Sequence, residues 1–276
     1  MSKRIDSHQH FWKFDPVRDS WIDETMQNIQ RDFLPEDLES ILKENQFEGC
    51  VAVEAHQSED QTLFLLNLAS KNDFIKGVVG WVDLRNENIK ERLQFFSDQK
   101  KLKGFRHVVQ AEADDFMFGE AFRRGIQALK PFDYTYDILI FERQLPAAIS
   151  LVQDFPNQRF VIDHIAKPNI KSGSIDSWKK GIEEIAKYDN VWCKISGMVT
   201  EADWKNWKPE DLKPYLDVIF ENFSVDKLMF GSDWPVLNVA SDYNEVVKTL
   251  EDYIAELFIE DQNKIWFENA KTFYRI

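Results

Sequence analysis

Two histidines separated by one residue, in the segment His8-Gln9-His10, are the first side chains whose type and spacing suggest chemistry. In an extended strand, side chains alternate between two sides with a period of two residues, so both imidazoles project to the same side. Such a pair can accept protons, donate hydrogen bonds or bind a metal ion. A single buried histidine is usually structural, but two that face one way at the end of a strand indicate a site.

Two further polar clusters follow apolar segments. Asp163 and His164 follow Arg-Phe-Val-Ile, and Asp233 lies in Gly-Ser-Asp-Trp-Pro. A carboxylate beside imidazoles supplies a general base and hydrogen-bond donors, or a set of metal ligands. We therefore expect His8, His10, His164 and Asp233 to be the catalytic residues. The alternative for Asp233 is a structural one, since aspartate is also favoured as a helix N-cap.

The elements that must bring these residues together alternate regularly along the chain. Eight strands are predicted over residues 4–10, 49–56, 75–84, 102–109, 135–141, 159–165, 191–197 and 227–234. Helical segments are predicted at 35–45, 60–72, 89–99, 119–130, 144–155, 174–188, 209–223 and 241–257. Strict alternation of strand and helix implies parallel strands joined by helical crossovers.

The strand composition favours a closed barrel. Several strands are apolar almost throughout, as expected when helices cover the sheet. An open, doubly wound sheet is the alternative, but no Gly-x-Gly-x-x-Gly turn follows the first strand, and eight units exceed most open sheets. We therefore predict an α/β fold, a single (β/α)₈ TIM barrel, with residues 1–276 as one domain. The long loops 11–33 and 198–208 follow predicted strands and are candidate pocket walls, although their tryptophans could simply pack on neighbouring helices.

Charge and cysteine content restrict the partners. The net charge is −14, from 48 acidic and 34 basic residues, and no basic run is long enough to follow a phosphate backbone, so nucleic acids and anionic membranes are not expected partners. Cys50 and Cys193 each lie in an apolar run and are expected to be buried free thiols. The segment from Met1 runs directly into polar sequence, and no apolar stretch is long enough for a membrane span, so we expect a cytoplasmic protein. A homo-oligomer is compatible with the sequence, which does not determine the oligomeric state.

The order and spacing of the motifs resemble the amidohydrolase superfamily, and within it the sugar-lactone hydrolases of the L-fuconolactonase and L-rhamnonolactonase type. The resemblance covers nearly the whole chain. It rests on His8-x-His10, Phe105-Arg106-His107, Asp163-His164 and Gly231-Ser232-Asp233-Trp234-Pro235, and extends through residues 136–137, 144–148, 155–157, 166–168 and 194–199.

This resemblance implies that Asp233 is the strand-eight general base, that His8 and His10 are the strand-one pair and that His164 is the strand-six histidine. Many members bind zinc. The sequence departs from the metal-rich pattern on strand five, where residues 140–143 lack a ligand histidine, and on strand four, which lacks the lysine that bridges two metals. These departures argue against a binuclear centre. His8, His10 and Asp233 could still hold one Zn²⁺, and we expect no strictly required cofactor.

A sugar lactone presents several hydroxyl groups, so its binding site should combine hydrogen-bonding side chains with aromatic faces. Candidate substrate-binding residues lie near predicted strand ends, although each could instead form a surface ion pair or pack in the core. They are Glu54, Trp81, Arg106, His107, Lys167 and Trp234.

The resulting hypothesis is a hydrolase, a lactone esterase, that opens a sugar-acid lactone with water activated by Asp233. A small-molecule lactone is its expected partner. One alternative is a zinc-dependent decarboxylase or amide hydrolase, because the same strand-one and strand-eight residues occur in those relatives; the absent strand-five histidine argues against it. Another is a noncatalytic binding protein that retains the barrel, against which the intact set of histidines and aspartate argues.

Overall fold

The computed structural model describes residues 3–276 and contains one parallel sheet of eight strands in sequential order. Each strand pairs in parallel with the next along the chain. The strands are β1 (Ile5–Gln9), β2 (Gly49–Val53), β3 (Ile75–Gly80), β4 (Leu102–His107), β5 (Thr135–Ile138), β6 (Phe160–Ile162), β7 (Val191–Ile195) and β8 (Leu228–Phe230).

A helix follows every strand, as the alternating sequence pattern predicts. The first eight helices are α1 (Pro35–Glu44), α2 (Glu59–Lys71), α3 (Ile89–Phe96), α4 (Glu120–Leu129), α5 (Leu145–Asp154), α6 (Asp176–Ile185), α7 (Pro209–Asn222) and α8 (Tyr243–Ile254). Two short helices come after them, α9 (Ile259–Asn263) and α10 (Asn269–Tyr274).

The sheet closes on itself through backbone hydrogen bonds between the segment after β8 and β1. The amide of Asp233 donates to the carbonyl of His8 at 2.8 Å, and the amide of His10 donates to the carbonyl of Trp234 at 2.7 Å. These bonds join the last strand to the first, so the predicted (β/α)₈ barrel is confirmed.

The barrel combines a buried apolar cluster with buried polar residues. The apolar cluster joins residues of five strands to the C-terminal helix α10: Ile5, Val51, Val53, Val79, Val161, Met229, Ala270, Phe273 and Tyr274. This cluster anchors α10 to the barrel. Buried polar and charged residues lie where the carboxyl ends of the strands meet.

The predicted strands six and eight are longer than the observed ones, because the chain leaves the extended conformation at their polar residues. After β6, His164, Ile165, Ala166 and Lys167 have φ values of 52°, 48°, 62° and 45°. After β8, Asp233 has φ 62°. Non-glycine residues adopt this left-handed region at an energetic cost and concentrate there at functional sites.

The loop at residues 11–33 is an ordered structure. Trp12 and Phe33 pair through two backbone hydrogen bonds of 3.0 and 2.9 Å, which close the base of the loop. Ile22 and Ile29 within the loop are buried. Asn28 donates a side-chain hydrogen bond to the carbonyl of Asn238 in the segment after β8. The loop therefore has a fixed position beside the mouth of the barrel.

Cys50 and Cys193 are buried and not bonded to each other, which confirms the expectation of free thiols. Within residues 3–276, the helices are all too short or too polar to cross a lipid bilayer.

Candidate active site

Four side chains expected to be catalytic meet at the carboxyl ends of the strands. Oδ1 of Asp233 lies 3.3 Å from Nε2 of His10 and 3.8 Å from Nε2 of both His8 and His164. All four residues are buried. The structure therefore brings together strands one, six and eight around one carboxylate.

His8 in β1 and His10 just after it both point into the barrel. The pairing register of β1 with β2 shifts between Asp6 and Gln9, an irregularity of the kind that re-aims side chains beside active sites. Nδ1 of His10 lies 2.9 Å from the carbonyl oxygen of Val53, which can only accept, so neutral His10 carries its proton on Nδ1. The lone pair on Nε2 therefore faces Asp233 and Nε2 of His8, which is 3.2 Å away.

A hydroxyl group from β7's end orients His164. Oγ of Ser196 lies 2.9 Å from Nδ1 of His164 and accepts a hydrogen bond from its backbone amide at 3.2 Å. Gly197 follows with φ 61°, and a Cβ at this position would overlap the His164 ring. Glycine is therefore required for the close approach of the two segments.

A buried carboxylate supports the loop that carries Asp233. Asp6 accepts hydrogen bonds from the amide of Ser232 at 2.9 Å and from its hydroxyl at 2.6 Å, and from the hydroxyl of Tyr243 at 3.1 Å. Oγ of Ser232 in turn accepts from the amide of Trp234 at 2.9 Å. These contacts hold the turn on both sides of Asp233. Burial raises the pKa of Asp6 to about 6, although its hydrogen bonds oppose this rise.

Arg106 of β4 lies beneath the histidines in a set of buried ionic contacts. Its Nε donates to Oε1 of Glu54 at 2.9 Å, and its Nη1 donates to Oδ2 of Asp163 at 3.2 Å. Nη1 also lies 3.3 Å from Nε2 of His8. The guanidinium thus supplies positive charge at the floor of the site.

A second buried cation lies deeper in the barrel. Nζ of Lys194 donates to Oδ2 of Asp137 at 2.5 Å and lies 2.9 Å from Oδ1 of Asp163 and 3.2 Å from Nδ1 of His8. The hydroxyl of Tyr274 donates to the same oxygen of Asp137 at 2.7 Å. Asp137 therefore lies beside the buried cation and not in the cleft lining.

The surroundings leave the carboxylate charged and two of the imidazoles neutral. Burial alone would raise the pKa of Asp233, but the neighbouring His164, His10 and Lys167 outweigh it and hold the pKa below its usual value. Burial lowers the pKa of His8 and His164 well below the usual value, against the opposing effect of nearby carboxylates. An ionised carboxylate among neutral imidazoles can accept a proton from water.

The same residues could hold a divalent metal ion. Two sets share His8 and have ligand atoms within 4.8 Å of one another: His8 with His10 and Asp233, and His8 with Asp163 and His164. The first set fits a metal well, since the proton on Nδ1 of His10 leaves its Nε2 free to coordinate and the Val53 carbonyl fixes the ring.

A cleft of about 360 Å³ opens above these residues. The side chains at its floor are His10, Arg106, His164 and Asp233. Its walls include Trp12, Arg18, Trp21, His56, Gln57, Gln110 and Lys167. Aromatic faces with a few polar groups are typical of small-molecule sites.

Of the residues predicted to bind substrate, Arg106 and Lys167 line the cleft and the other four do not. Glu54 is buried against Arg106. His107 lies on the opposite side of β4 from Arg106, because neighbouring residues in a strand point in opposite directions, and it bonds Glu112 at 2.8 Å.

The two tryptophans among these four also pack away from the cleft lining. Nε1 of Trp81 bonds Oε1 of Gln57 at 3.2 Å, and this amide oxygen also accepts from the amide of Val108 at 2.9 Å. Trp234 is buried edge-to-face against Phe33, with ring centroids 5.2 Å apart. Both residues thus support wall segments.

Sequence reasoning missed Arg18, Gln57 and Gln110 in the walls, and Asp6 and Lys194 behind the histidines. A signal existed for some of them: the length of the loop 11–33 marked it as a wall, and Lys194 is a charged residue within the apolar run Val-Trp-Cys-Lys-Ile. A lysine in such a run needs a buried carboxylate partner. Sequence gives no signal for Gln57 or Gln110.

The chain is similar to known proteins over nearly its whole length. The amidohydrolase family model matches residues 5–276. The chain is 37% identical to an L-fucono-1,5-lactonase of Burkholderia multivorans, over 99% of this chain and 96% of that protein. It is 34% identical to an L-fucono-1,5-lactonase of Burkholderia ambifaria, over 100% of this chain and 97% of that protein. A crystal structure of an amidohydrolase from Burkholderia multivorans with bound zinc superimposes with a TM-score of 0.96 at 37% identity, covering 100% of both chains.

Both the matched residues and the full-length relatives include every strand that contributes to the site. This chain belongs to the amidohydrolase family.

Proposed function

We propose that this protein hydrolyses the ring ester of a sugar-acid lactone of the L-fuconolactone or L-rhamnonolactone type. The observation that carries the proposal is the buried carboxylate of Asp233 at the floor of the cleft, whose Oδ1 lies 3.3 Å from Nε2 of His10 and 3.8 Å from Nε2 of both His8 and His164. Support also comes from the full-length similarity to the two Burkholderia L-fucono-1,5-lactonases.

In this reaction Asp233 acts twice. Its carboxylate takes a proton from a water molecule as the water oxygen bonds to the lactone carbonyl carbon. The tetrahedral intermediate then breaks the bond between that carbon and the ring oxygen, and the carboxyl group of Asp233 returns the proton to the leaving alkoxide. The product is an open-chain hydroxy acid, and Asp233 is ready for another cycle.

Hydrogen-bond donors must stabilise the negative charge that develops on the carbonyl oxygen. His164 and Arg106 are suited to this role because both line the cleft beside Asp233. When the Ser196 hydroxyl donates to Nδ1 of His164, the proton of the ring is on Nε2 and faces the cleft. His107, the neighbour of Arg106, does not line the cleft and forms a hydrogen bond with Glu112 instead.

His8, His10 and Asp233 would hold a divalent ion, with Zn²⁺ suited to this mixture of nitrogen and oxygen ligands. Such an ion would polarise the carbonyl group and lower the pKa of a bound water. The bound zinc in the related crystal structure supports this assignment. We also propose that residues 1–276 act as one domain, because the site draws on both the first and the last strand of the barrel.

The test is hydrolysis of L-fucono-1,5-lactone by the purified protein, measured as acid release at constant pH with background hydrolysis subtracted. Asp233→Asn keeps the shape of the side chain but removes the base, so we expect kcat to fall roughly 10²- to 10⁴-fold. Asp115→Asn changes an exposed carboxylate outside the cleft and should leave the rate unchanged.

Absence of acceleration above buffer by the wild-type protein, or an unchanged rate in Asp233→Asn, would show that the proposal is wrong. Parallel assays after chelation and after zinc addition decide whether the ion takes part. Retained activity after complete chelation would remove the metal from the proposal without affecting the role of Asp233.

A further inference from the structure

Arg18 lines the cleft, and its guanidinium group is held in place by a neighbouring carboxylate. It lies in the loop at residues 11–33, whose base is closed by the two backbone hydrogen bonds between Trp12 and Phe33. It lines the same cleft as Asp233 and His164 but belongs to neither the catalytic group nor the buried ionic contacts below it.

A carboxylate behind Arg18 holds its guanidinium in one orientation. Nε donates to Oδ1 of Asp19 at 2.8 Å, and Nη2 donates to Oδ2 at 2.7 Å. Nη2 also donates to the carbonyl of Lys13. Asp19 is only 4% exposed and accepts a further bond from the amide of Asp15 at 2.9 Å. The bidentate pair fixes the plane of the guanidinium.

This arrangement leaves one edge of the guanidinium for a ligand. The protein contacts of Arg18 use Nε and Nη2, and within residues 3–276 Nη1 donates to no protein acceptor. The side chain is 38% exposed, as expected for a guanidinium that is paired along its Nε–Nη2 edge and accessible at Nη1. An arginine used only for surface solubility would not need a buried partner.

The neighbours of Arg18 in the cleft suit a hydroxylated ring. Trp12 and Trp21 lie in the same loop with their rings edge-to-face and centroids 6.3 Å apart, and both line the cleft. Lys167, also in the cleft wall, is paired with Glu201 at 3.2 Å. Charged donors beside aromatic faces distinguish polyhydroxylated from plain apolar ligands, because hydroxyl groups pair with the donors while C–H faces pack on the rings.

We infer that Arg18 is a specificity-determining residue, whose Nη1 edge donates hydrogen bonds to hydroxyl groups of a sugar lactone while the ester group lies at Asp233. The inference rests on the proposed lactonase function and adds to it the residue that recognises the hydroxyl pattern. Arg18 takes no part in proton transfer, so its contribution is to binding and is shared by ground state and transition state.

Arginine is needed because one side chain must satisfy two partners at once. Its planar fork can bind Asp19 through Nε and Nη2 and still offer Nη1, whereas a lysine ammonium is a compact charge without a second, fixed edge. Arg18→Lys should therefore keep only part of the substrate binding that Arg18→Met loses.

The experiment compares two substrates, L-fucono-1,5-lactone and the unsubstituted δ-valerolactone. For Arg18→Met we expect KM for the sugar lactone to rise roughly 10- to 100-fold, the worth of a hydrogen bond to a charged group, with kcat little changed. KM for δ-valerolactone should change less than about twofold, since that lactone has no hydroxyl group to lose a partner. Arg31→Met is the matched control, because Arg31 forms an exposed ion pair with Asp37 outside the cleft.

Equal effects on both substrates would overturn the inference, because they would mean that Arg18 only supports the fold of the loop. An unchanged KM for the sugar lactone would overturn it as well.

A binding measurement separates this inference from the proposed function. Calorimetric titration with L-fuconate, the open-chain acid with the same hydroxyl groups, should show a Kd that is roughly 10- to 100-fold weaker in Arg18→Met than in the wild type and in Arg31→Met. Weaker binding in Arg18→Met without turnover by the wild type would retain the role of Arg18 and reject the lactonase function. Equal binding by all three proteins would reject the role of Arg18, whatever the turnover.

Discussion

Replacing Lys194 by methionine removes the one cation that contacts both Asp137 and Asp163 inside the described part of the barrel. Lys194 and both aspartates are completely buried. Methionine keeps much of the volume and the unbranched shape of the side chain, so the change removes charge more than packing. Asp163 retains Arg106 at 3.2 Å, whereas Asp137 retains only the hydroxyl of Tyr274.

The magnitude follows from leaving a buried carboxylate without its cation. Breaking a buried ion pair by removing one partner costs about 3–5 kcal/mol of folding free energy. Tyr274 and Arg106 offset part of the loss, so we expect a decrease of about 3 kcal/mol in the free energy of unfolding of Lys194→Met at pH 7.

The loss should depend on pH in a direction that the structure fixes. Burial raises the pKa of Asp137 to about 6 even with Lys194 beside it. When folding raises the pKa of a carboxyl group, the free energy of unfolding decreases as the pH rises from the unfolded pKa to the folded pKa. For Asp137 in the wild type, this decrease therefore ends near pH 6. In Lys194→Met the folded pKa of Asp137 is higher still, and the deficit should grow by up to about 1.4 kcal/mol per pH unit above pH 6.

Urea denaturation followed by circular dichroism at pH 5, 6, 7 and 8 measures this effect. The double variant Asp137→Asn with Lys194→Met is the control, since it lacks the unpaired charge and should show no growth of the deficit above pH 6. A deficit below about 1 kcal/mol at pH 8, or the same pH dependence in the single and double variants, would refute the assignment of ionised carboxylates paired by Lys194.

Two further predictions concern the support of His164. Ser196→Ala removes the hydroxyl that contacts Nδ1 and the backbone amide of His164. We therefore expect kcat/KM for the sugar lactone to fall roughly 10- to 100-fold, while the melting temperature changes little. An unchanged kcat/KM would show that His164 keeps its orientation without the hydroxyl. Gly197→Ala introduces a Cβ against the His164 ring at a residue with φ 61°. It should lower the free energy of unfolding by at least about 1–2 kcal/mol, measured by urea denaturation, and lower kcat in the lactone assay. A variant with wild-type stability would contradict the close packing of these segments.

Much of the architecture follows from the sequence because its signals are local. Several strands are apolar runs, a helix follows every strand, and this alternation admits few folds. The chemistry was predictable for a similar reason. His164 and Asp233 come soon after apolar segments, and His8 and His10 lie one residue apart at the end of the first strand, where a barrel collects its functional groups.

Side-chain direction and long-range pairing were less predictable. Arg106 and His107 are adjacent, and only the register with β5, in which Arg106 is opposite Asp137, shows which one enters the barrel. The left-handed turn at His164 is stabilised by contacts with Ser196, which is distant in sequence. Arg18 lies in a loop whose path depends on the pairing of Trp12 with Phe33, and no local pattern predicts that pairing.

The junction between β8 and β1 determines when, during synthesis and folding, the active site becomes complete. The amides of Asp233 and His10 bond across this junction, so the carboxylate is placed by the very contacts that close the ring. His8, His10 and His164 are synthesised before Asp233, which follows the last strand, so a nascent chain that lacks β8 carries the three histidines but not the base. Activity should therefore appear in a single step when the last strand docks, and a partly synthesised or partly folded barrel should be inert toward lactones.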